Sequence, residues 1–473
     1  MTSGKRIVTN TIFMTMSSVL NMAISIGTTA IIARSIGPEL YGRYTFGLSY
    51  ILFLSALANF GIESLFIREA ARDRKNIDLI LDIIPLKAIL ALFTIVAVIV
   101  SAHALNYPDE TIRVIYVLCA GLFFQVINES LNALFQSQEK LYINALLSVI
   151  FRILTAIVIV VSVYSGTGFW GIVSAFVIGH AASSVAMVAF AHRELGSLRL
   201  RFQPKLWIGL VRQGIPFYAS ALLTMIYHKI NILMLSKMVS EQNIGLYMAA
   251  IALVEGLYFI PTALNSSIYP AFSRMYGNSL EALNKTYQKM TKYILVLTVG
   301  ATFGTLLVAK DVILTIYGPQ FLDSIPVLQV YILFWVFTFF AQILSSLLFS
   351  VHMESIQVKV MAGACIINIV LSFLFIREYG IIGAAYASVL TEFFVVIAIM
   401  AVLWQHRLRY VLDFNVLRLV VNVIAMVFTV RYLLIFNMVL AIIGGAAVYL
   451  VLLFVVGVFD AEDKLYIKAV IGK

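Results

Sequence analysis

"LYGRY", residues 40–44, returns further along the chain as "NIGLY", residues 243–247, with Gly42 over Gly245 and Tyr44 over Tyr247 at an offset of 203. A second match follows in the same order, "LFQS" from 134 and "LFSV" from 348, at an offset of 214. A third, "GFWG" (168–171) and "GIIG" (380–383), shares both glycines at 212. Three ordered matches whose offsets drift only by loop-sized amounts mark an internal repeat. What each copy becomes depends on the solvent the chain is written for.

That solvent is lipid. Of 473 residues, 62% are apolar and 12% charged, whereas soluble domains are nearer half apolar and a quarter charged. Apolar stretches recur from Ile7 to Phe459, each of about 20 residues or more, the length of a helix crossing a ~30 Å hydrocarbon layer. Period-2 alternation is absent, which excludes a membrane barrel. The chain therefore reads as an all-α polytopic membrane protein. Fourteen spans are expected, centred near Ala23, Leu54, Phe93, Phe124, Arg152, His180, Thr224, Gly256, Leu297, Phe337, Asn368, Leu390, Val423 and Ala446. Arg418 and Arg431 crowd the ends of the thirteenth.

Six spans separate repeat equivalents, so the copies share one orientation and an axis along the membrane normal relates them. The expected organisation is an N-lobe of spans 1–6 (residues 1–192), a basic cytoplasmic linker carrying Pro204 (193–212), and a C-lobe of spans 7–12 (213–409). Spans 13–14 and a cytoplasmic tail (410–473) lie outside the repeat.

With the N-terminus placed in the cytoplasm, 23 of the 33 Lys and Arg fall in inner segments and 7 in outer loops. The remaining 3, Lys87, Arg152 and Lys229, lie inside spans. That bias predicts both termini inside, in a multi-pass protein of the cytoplasmic membrane. The net charge of +10 then faces anionic inner-leaflet lipid. No nucleic-acid partner is expected, because the basic stretches lack the fold context of such a module.

Other classes fall away. The first apolar run is too long and too rich in Thr, Ser and Asn for a cleaved signal, and reads as retained. Cys119 and Cys365 lie inside spans as core residues, which leaves no disulfide framework and no metal-spaced pair. No G-x-x-x-x-G-K-S/T occurs, so no P-loop hydrolyses ATP. The outer loops are short, Asp109 and Glu110 read as solvated turn carboxylates, and no catalytic constellation is present. The expectation is a non-enzyme without cofactor or metal.

"ARSIGPELYGRYTFGLSYILFLSALANFGIESLFIREAARD" (33–73) resembles the opening of the polysaccharide-exporter (Wzx-like) flippases. These belong to the multidrug/oligosaccharidyl-lipid/polysaccharide exporter superfamily, which also holds lipid II flippases and multidrug/toxin extrusion (MATE) antiporters. Similar too are "GIPFYASALLTMIYHKINILMLSKMVSEQNIGLYMAA" (214–250), "ILTIYGPQFLDSIPVLQVY" (313–331) and "YGIIGAAYASVLTE" (379–392), so the resemblance covers nearly the whole chain. It implies a V-shaped pair of six-helix lobes that rocks between inward- and outward-open states. It also implies a polyprenyl-pyrophosphate-linked oligosaccharide as cargo, moved from the inner to the outer leaflet. Asn231 is a departure, since family members often carry Asp there.

Charge leads to a compatible place. An ionised side chain at mid-bilayer costs about 2.5–3.5 kcal/mol even on lenient insertion scales, and survives by facing a partner or a watery cavity. Arg152, His180, Glu255 and Glu392 are central in their spans; Glu129 and Lys229 are intermediate, and Lys87 is shallower. Arg152 either pairs with Glu129 on the neighbouring span or holds an anionic cargo, for which its planar fork suits phosphate. Lys229, within "TMIYHKINILML" (224–235), either serves as the second lobe's cavity cation or snorkels outward. Lys87 either joins them or snorkels with Glu63 at an interface. His228 and Asn231 are polar candidates for the same cavity.

His180 and Glu392 differ by 212, the offset of the adjacent glycines. They read as equivalent sites able to carry protons, or as buried polar contacts. Glu255 precedes Gly256 and Pro261, a predicted helix break that would free carbonyls near a carboxylate and suit a cation. Glu255, Glu392, His180 and Glu129 are thus candidates for ion coupling or charge balance. The expected partners are the lipid-linked oligosaccharide, membrane lipid and other glycan-assembly membrane proteins. Two further readings stay open: a cation-coupled multidrug antiporter, and a non-transporting scaffold of a glycan-assembly complex.

Overall fold

The computed structural model describes residues 3–196, 199–406, 408, 416–459 and 463. Among them every regular element is a helix and none is a strand. A chain this apolar has little choice, because hydrocarbon offers backbone N–H and C=O groups no partner outside the segment itself. Large apolar side chains such as Phe93, Val96, Ile157 and Phe428 stand on the surface, as lipid-facing positions must.

Helix α1 (Ser3–Asn59) is two helices joined at Gly37 (φ 75°, ψ 172°). Pro38 causes the break: its ring drives the preceding residue out of the α region and then fits the first turn of the next helix. Positive φ at Phe60 (44°) and Gly61 (68°) ends α1 and starts α2 (Ile62–Arg72). Then come α3 (Ile80–Ala104), α4 (Asp109–Ser137), α5 (Leu141–Tyr164), α6 (Gly168–Leu195) and α7 (Pro204–Met238). Next, α8 (Glu241–Glu255) runs through a 3-10 turn (Gly256–Tyr258) into α9 (Phe259–Tyr276). The chain continues with α10 (Leu280–Ile316), α11 (Ser324–Ser350), α12 (Glu354–Gln405), α13 (Val416–Leu434) and α14 (Met438–Val455).

Ten stretches among the described residues are long and apolar enough to cross a membrane. Two of them, Phe13–Asn59 (47 residues) and Glu354–Gln405 (52 residues), are about twice the length of one crossing. Each is kinked at a glycine. The fourteen crossings read from the sequence require α7 and the α8–α9 run to cross as well.

The repeat is visible in the backbone. Gly168 at the start of α6 and Gly380 at the kink of α12 have φ of 58° and 57°, so the glycines matched at offset 212 occupy the same region, which an L side chain rarely adopts. Gly42 and Gly245 face each other across α1 and α8. A Cβ on Gly42 would collide with the carbonyl oxygen of Glu241, and one on Gly245 with that of Pro38. Each glycine thus packs on the carbonyl one turn before the other. Both pairings, Pro38 with Glu241 and Gly42 with Gly245, carry the offset of 203.

The described residues form two compact units. One takes in the chain up to Phe259 together with Asn368–Ile381; the other takes in Ile260–Ile367 and the chain from Ile382 on. The first has a buried core where α2, α3 and α4 meet the start of α7, including Phe66, Ile80, Leu134, Phe135 and Leu210. The stretch expected as a linker is partly helical, since α7 begins at Pro204. It is tied to the start of α3: Trp207 Nε1 donates to the Asp82 carbonyl at 2.9 Å and the Arg201 N–H to that of Leu81 at 3.0 Å. In the second unit α10 packs on the α13–α14 hairpin, with the Tyr449 hydroxyl donating to the Val296 carbonyl at 2.6 Å.

The glycine contact gives a direct test. Gly245→Ala forces a methyl into backbone atoms, so it should destabilise by about 1–3 kcal/mol, read as a lower melting temperature in detergent. Gly277→Ala, whose nearest neighbour would be 4.0 Å away, should leave melting within error.

Candidate functional site

Among the described residues, the site candidates of the first unit fall into three groups. Arg152 anchors the first. It lies one turn beyond Ser148, whose hydroxyl accepts from Asn21 Nδ2 of α1 at 3.0 Å. Tyr44 of α1 and His180 of α6 are its electrostatic neighbours. His180 is edge-on to Phe176, with centroids 4.5 Å apart. Its carbonyl accepts from Asn128 Nδ2 at 3.1 Å and from the Ser184 hydroxyl at 3.0 Å. The Arg152 side chain, midway along α5, keeps accessible surface. No carboxylate among the described residues pairs with it.

Glu129, the anticipated partner of Arg152, is engaged elsewhere. It accepts from Gln125 Nε2 at 2.9 Å and feels the charges of Glu63 and Lys87. This second group centres on Lys87, whose Nζ lies 2.7 Å from Glu63 Oε1 in a side chain with no exposed surface. Glu63 also accepts from Asn59 Nδ2 at 3.2 Å. Lys87 therefore neither snorkels to an interface nor opens on a cavity.

The third group is built by "TMIYHKINILML". Lys229 Nζ lies 3.9 Å from Glu255 Oε1, both side chains being partly accessible. His228 stands edge-on to Tyr227 (5.2 Å) and Tyr258 (6.0 Å), and Glu255 and Lys229 act on it electrostatically. The helix break expected beside Glu255 is present as the 3-10 turn Gly256–Tyr258. A Cβ on Gly256 would touch Met22 (3.6 Å) and Ile26 (3.9 Å) of α1, so α1 walls this group as it walls Arg152. Asn231 is turned away into a buried polar contact, its Oδ1 accepting from the Ser372 hydroxyl at 2.7 Å. Glu392 is buried within α12 in the second unit.

Several contributors escaped the sequence reading. Tyr44 was visible as a repeated residue of LYGRY but carried no sign of its nearness to Arg152. Tyr258 and Ser372, which meet His228 and Asn231, were not singled out either. Glu110 is solvated as expected, and from that exposed position it also pairs with Arg43, whose Nε lies 2.8 Å from Glu241 Oε2. Among the described residues no group of three or more His, Cys, Asp or Glu is placed to hold a metal ion.

The described residues thus form long apolar helices with ionisable side chains set among them. The family model described as polysaccharide biosynthesis protein matches residues 31–326. The chain belongs to that family, in keeping with the resemblance read from its motifs. Among solved structures, one titled lipid II flippase MurJ, inward closed conformation, superposes with a TM-score of 0.78 at 15% identity, covering 94% of this chain and 99% of that one. An inward-facing multidrug resistance MATE transporter of the MOP superfamily follows at 0.66 and 17%, covering 83% and 94%. A MOP superfamily transporter from Pyrococcus furiosus, whose binding pocket is described as having reverse polarity, gives 0.59 and 16%, covering 84% and 95%. At these identities the likeness is one of fold. No curated protein matches the sequence.

The Lys87 pair can be tested by itself. Lys87→Met leaves Glu63 buried without its ammonium and should cost about 3–5 kcal/mol. Adding Glu63→Leu should restore most of the lost melting temperature, because removing both charges removes the desolvation penalty. An unchanged melting temperature in the single variant would show that Glu63 finds another partner.

Proposed function

We propose that this protein is a flippase that carries a polyprenyl-pyrophosphate-linked oligosaccharide from the inner to the outer leaflet of the cytoplasmic membrane by ion-coupled alternating access. The observation that carries this reading is Arg152: an accessible guanidinium deep in the helix layer with no carboxylate partner among the described residues. Such a charge costs several kcal/mol in the bilayer unless something offsets it, and an anionic ligand supplies the offset. The planar fork matches two phosphate oxygens and stays ionised when desolvated.

The other groups take complementary roles. Lys229, held loosely by Glu255 at 3.9 Å, is released to the cargo's anionic groups when they arrive, with His228 and Tyr258 lining the approach. Around Lys87 two carboxylates, Glu63 and Glu129, share one ammonium, and the surplus carboxylate takes up a proton or sodium ion as the lobes exchange access. His180 beside Arg152, and Glu392 at the equivalent position of the other repeat, are further coupling groups. Family membership and the fold shared with a lipid II flippase support this assignment. A multidrug antiporter for cationic cargo would call for an accessible carboxylate without a partner. The accessible carboxylate of the Lys229 group, Glu255, already has Lys229.

Losing one charged hydrogen-bonding partner costs about 1.5–3 kcal/mol, so Arg152→Gln should slow flipping roughly ten- to a hundred-fold, with Arg152→Lys intermediate. The assay is the leaflet distribution of polyprenyl-pyrophosphate glycan in cells, read with an impermeant sugar-modifying reagent at matched protein levels. Full-rate flipping by Arg152→Gln would sink the assignment, and new resistance to cationic drugs on overexpression would favour the antiporter.

A further inference from the structure

The first unit contains an apolar crevice that the reading above does not use. It is an open groove of about 340 Å³ between α1 and α5, lined by Ile24, Ile153, Ala156, Ile157, Val160 and Val161. All six are apolar, and five are consecutive positions of one face of α5. At 1.5 Å per residue, 153 to 161 makes a channel about 12 Å long. Arg152 stands at its beginning: Ala156 is one turn further along α5, so the two side chains are neighbours on the helix surface. Asn21 of α1 bonds Ser148 one turn before Arg152. The α1–α5 seam thus carries a polar contact one turn before the guanidinium and an apolar groove just after it.

A cation without a carboxylate, followed at once by a greasy channel open to lipid, is complementary to one kind of molecule: an anionic headgroup carrying a long hydrocarbon chain. We propose that the α1–α5 crevice is the binding site for the polyprenyl pyrophosphate portion of the cargo, with a phosphate on Arg152 and the first isoprene units between Ile24 and α5. The inference rests on the flippase reading for the identity of the lipid, while the juxtaposition of cation and crevice stands without it. A larger groove of about 560 Å³ lies between α10 and α13 in the second unit, lined by nine apolar residues including Phe303, Val423 and Phe428. Its flanking cation is already tied to a backbone carbonyl: Arg418, beside the lining residue Leu419, is bound to that of Gly457 at 2.8 Å.

The test is a binding measurement on the full chain in phosphatidylcholine nanodiscs, with three probes: polyprenyl pyrophosphate, the uncharged polyprenol, and inorganic pyrophosphate. The wild type should hold polyprenyl pyrophosphate at least ten-fold more tightly than polyprenol. R152Q should remove that preference and weaken inorganic pyrophosphate as well. A156W, which fills the crevice, should weaken the lipid ten-fold or more and leave inorganic pyrophosphate unchanged; V423W should affect neither. A photoreactive benzoylphenylalanine at Ile157, exposed at the crevice mouth, should crosslink polyprenyl pyrophosphate and lose most of that yield when R152Q is added. This arm holds even if A156W fails to fold. Loss of lipid binding in V423W with A156W unaffected would move the chain to the α10–α13 groove and overturn the proposal, as would undiminished binding by R152Q. Because the readout is binding, a negative leaflet assay together with this pattern would refute flipping and leave the site standing. Flipping that proceeds normally in A156W would do the reverse.

Discussion

Gly42 and Gly245 meet at a distance that a single methyl group would forbid, and much of the first unit is arranged around that approach. Without a hydrophobic drive between helices in lipid, association relies on close packing of small residues and on polar contacts at their flanks. Both are present here. Beside the glycines, Arg43 bridges Glu241 and Glu110, and Thr111 bonds Glu241. Within a few residues the Tyr107 hydroxyl lies 2.9 Å from the Ser236 hydroxyl, and Lys237 sits 3.5 Å over the Tyr107 ring. The α7–α8 turn is thus fastened to α1 and the α3–α4 turn through one seam. Its centre obeys the repeat: each glycine lies on the carbonyl one turn before the other.

The interior cations show how a bilayer grades charge. Lys87 is wholly buried and has a carboxylate at 2.7 Å; Lys229 is partly accessible and has one at 3.9 Å; Arg152 is accessible and has none. Desolvation explains the first two in order, since the penalty for burying an ion rises with burial and must be met by a closer partner. Arg152 extends the trend only if its accessible side faces something other than hydrocarbon. Water or an anion satisfies that condition, and lipid tails do not.

How much of this was legible in the residues follows from what kind of fact each one is. A glycine required at positive φ or at a close helix approach is required locally, so Gly42 with Gly245 and Gly168 with Gly380 could be matched by spacing, the first pair at one close approach and the second at similar positive φ. The Gly256 break could be read because glycine and proline punctuate helices directly. The partners of charges could not. A span reveals how deep Arg152 and Glu129 lie but leaves open which way each faces, and Glu129 turns to Gln125 and the Lys87 pair. Glu110 is exposed as its turn position suggests, but its pairing with Arg43, 67 residues away, left no trace in the sequence. The positive φ at Phe60 had no signature, because a bulky residue seldom adopts it.

Local rules that fail at one residue of an otherwise consistent helix are informative, since natural chains keep such conflicts where function needs them. Helix α5 obeys every rule for a lipid-exposed span except at Arg152. Its exposed face carries Leu146, Ile150, Ile153, Ile157 and Val161, and a Leu or Met in place of Arg152 would remove the insertion cost at no loss of packing. If the arginine served only to steady the helix layer, a carboxylate within reach would be the economical arrangement, as Glu63 is for Lys87. Glu129 stands one helix away and is turned to the other cluster. On the proposed reading, this uncompensated cation, set where compensation was available, is a charge kept open for an anionic ligand.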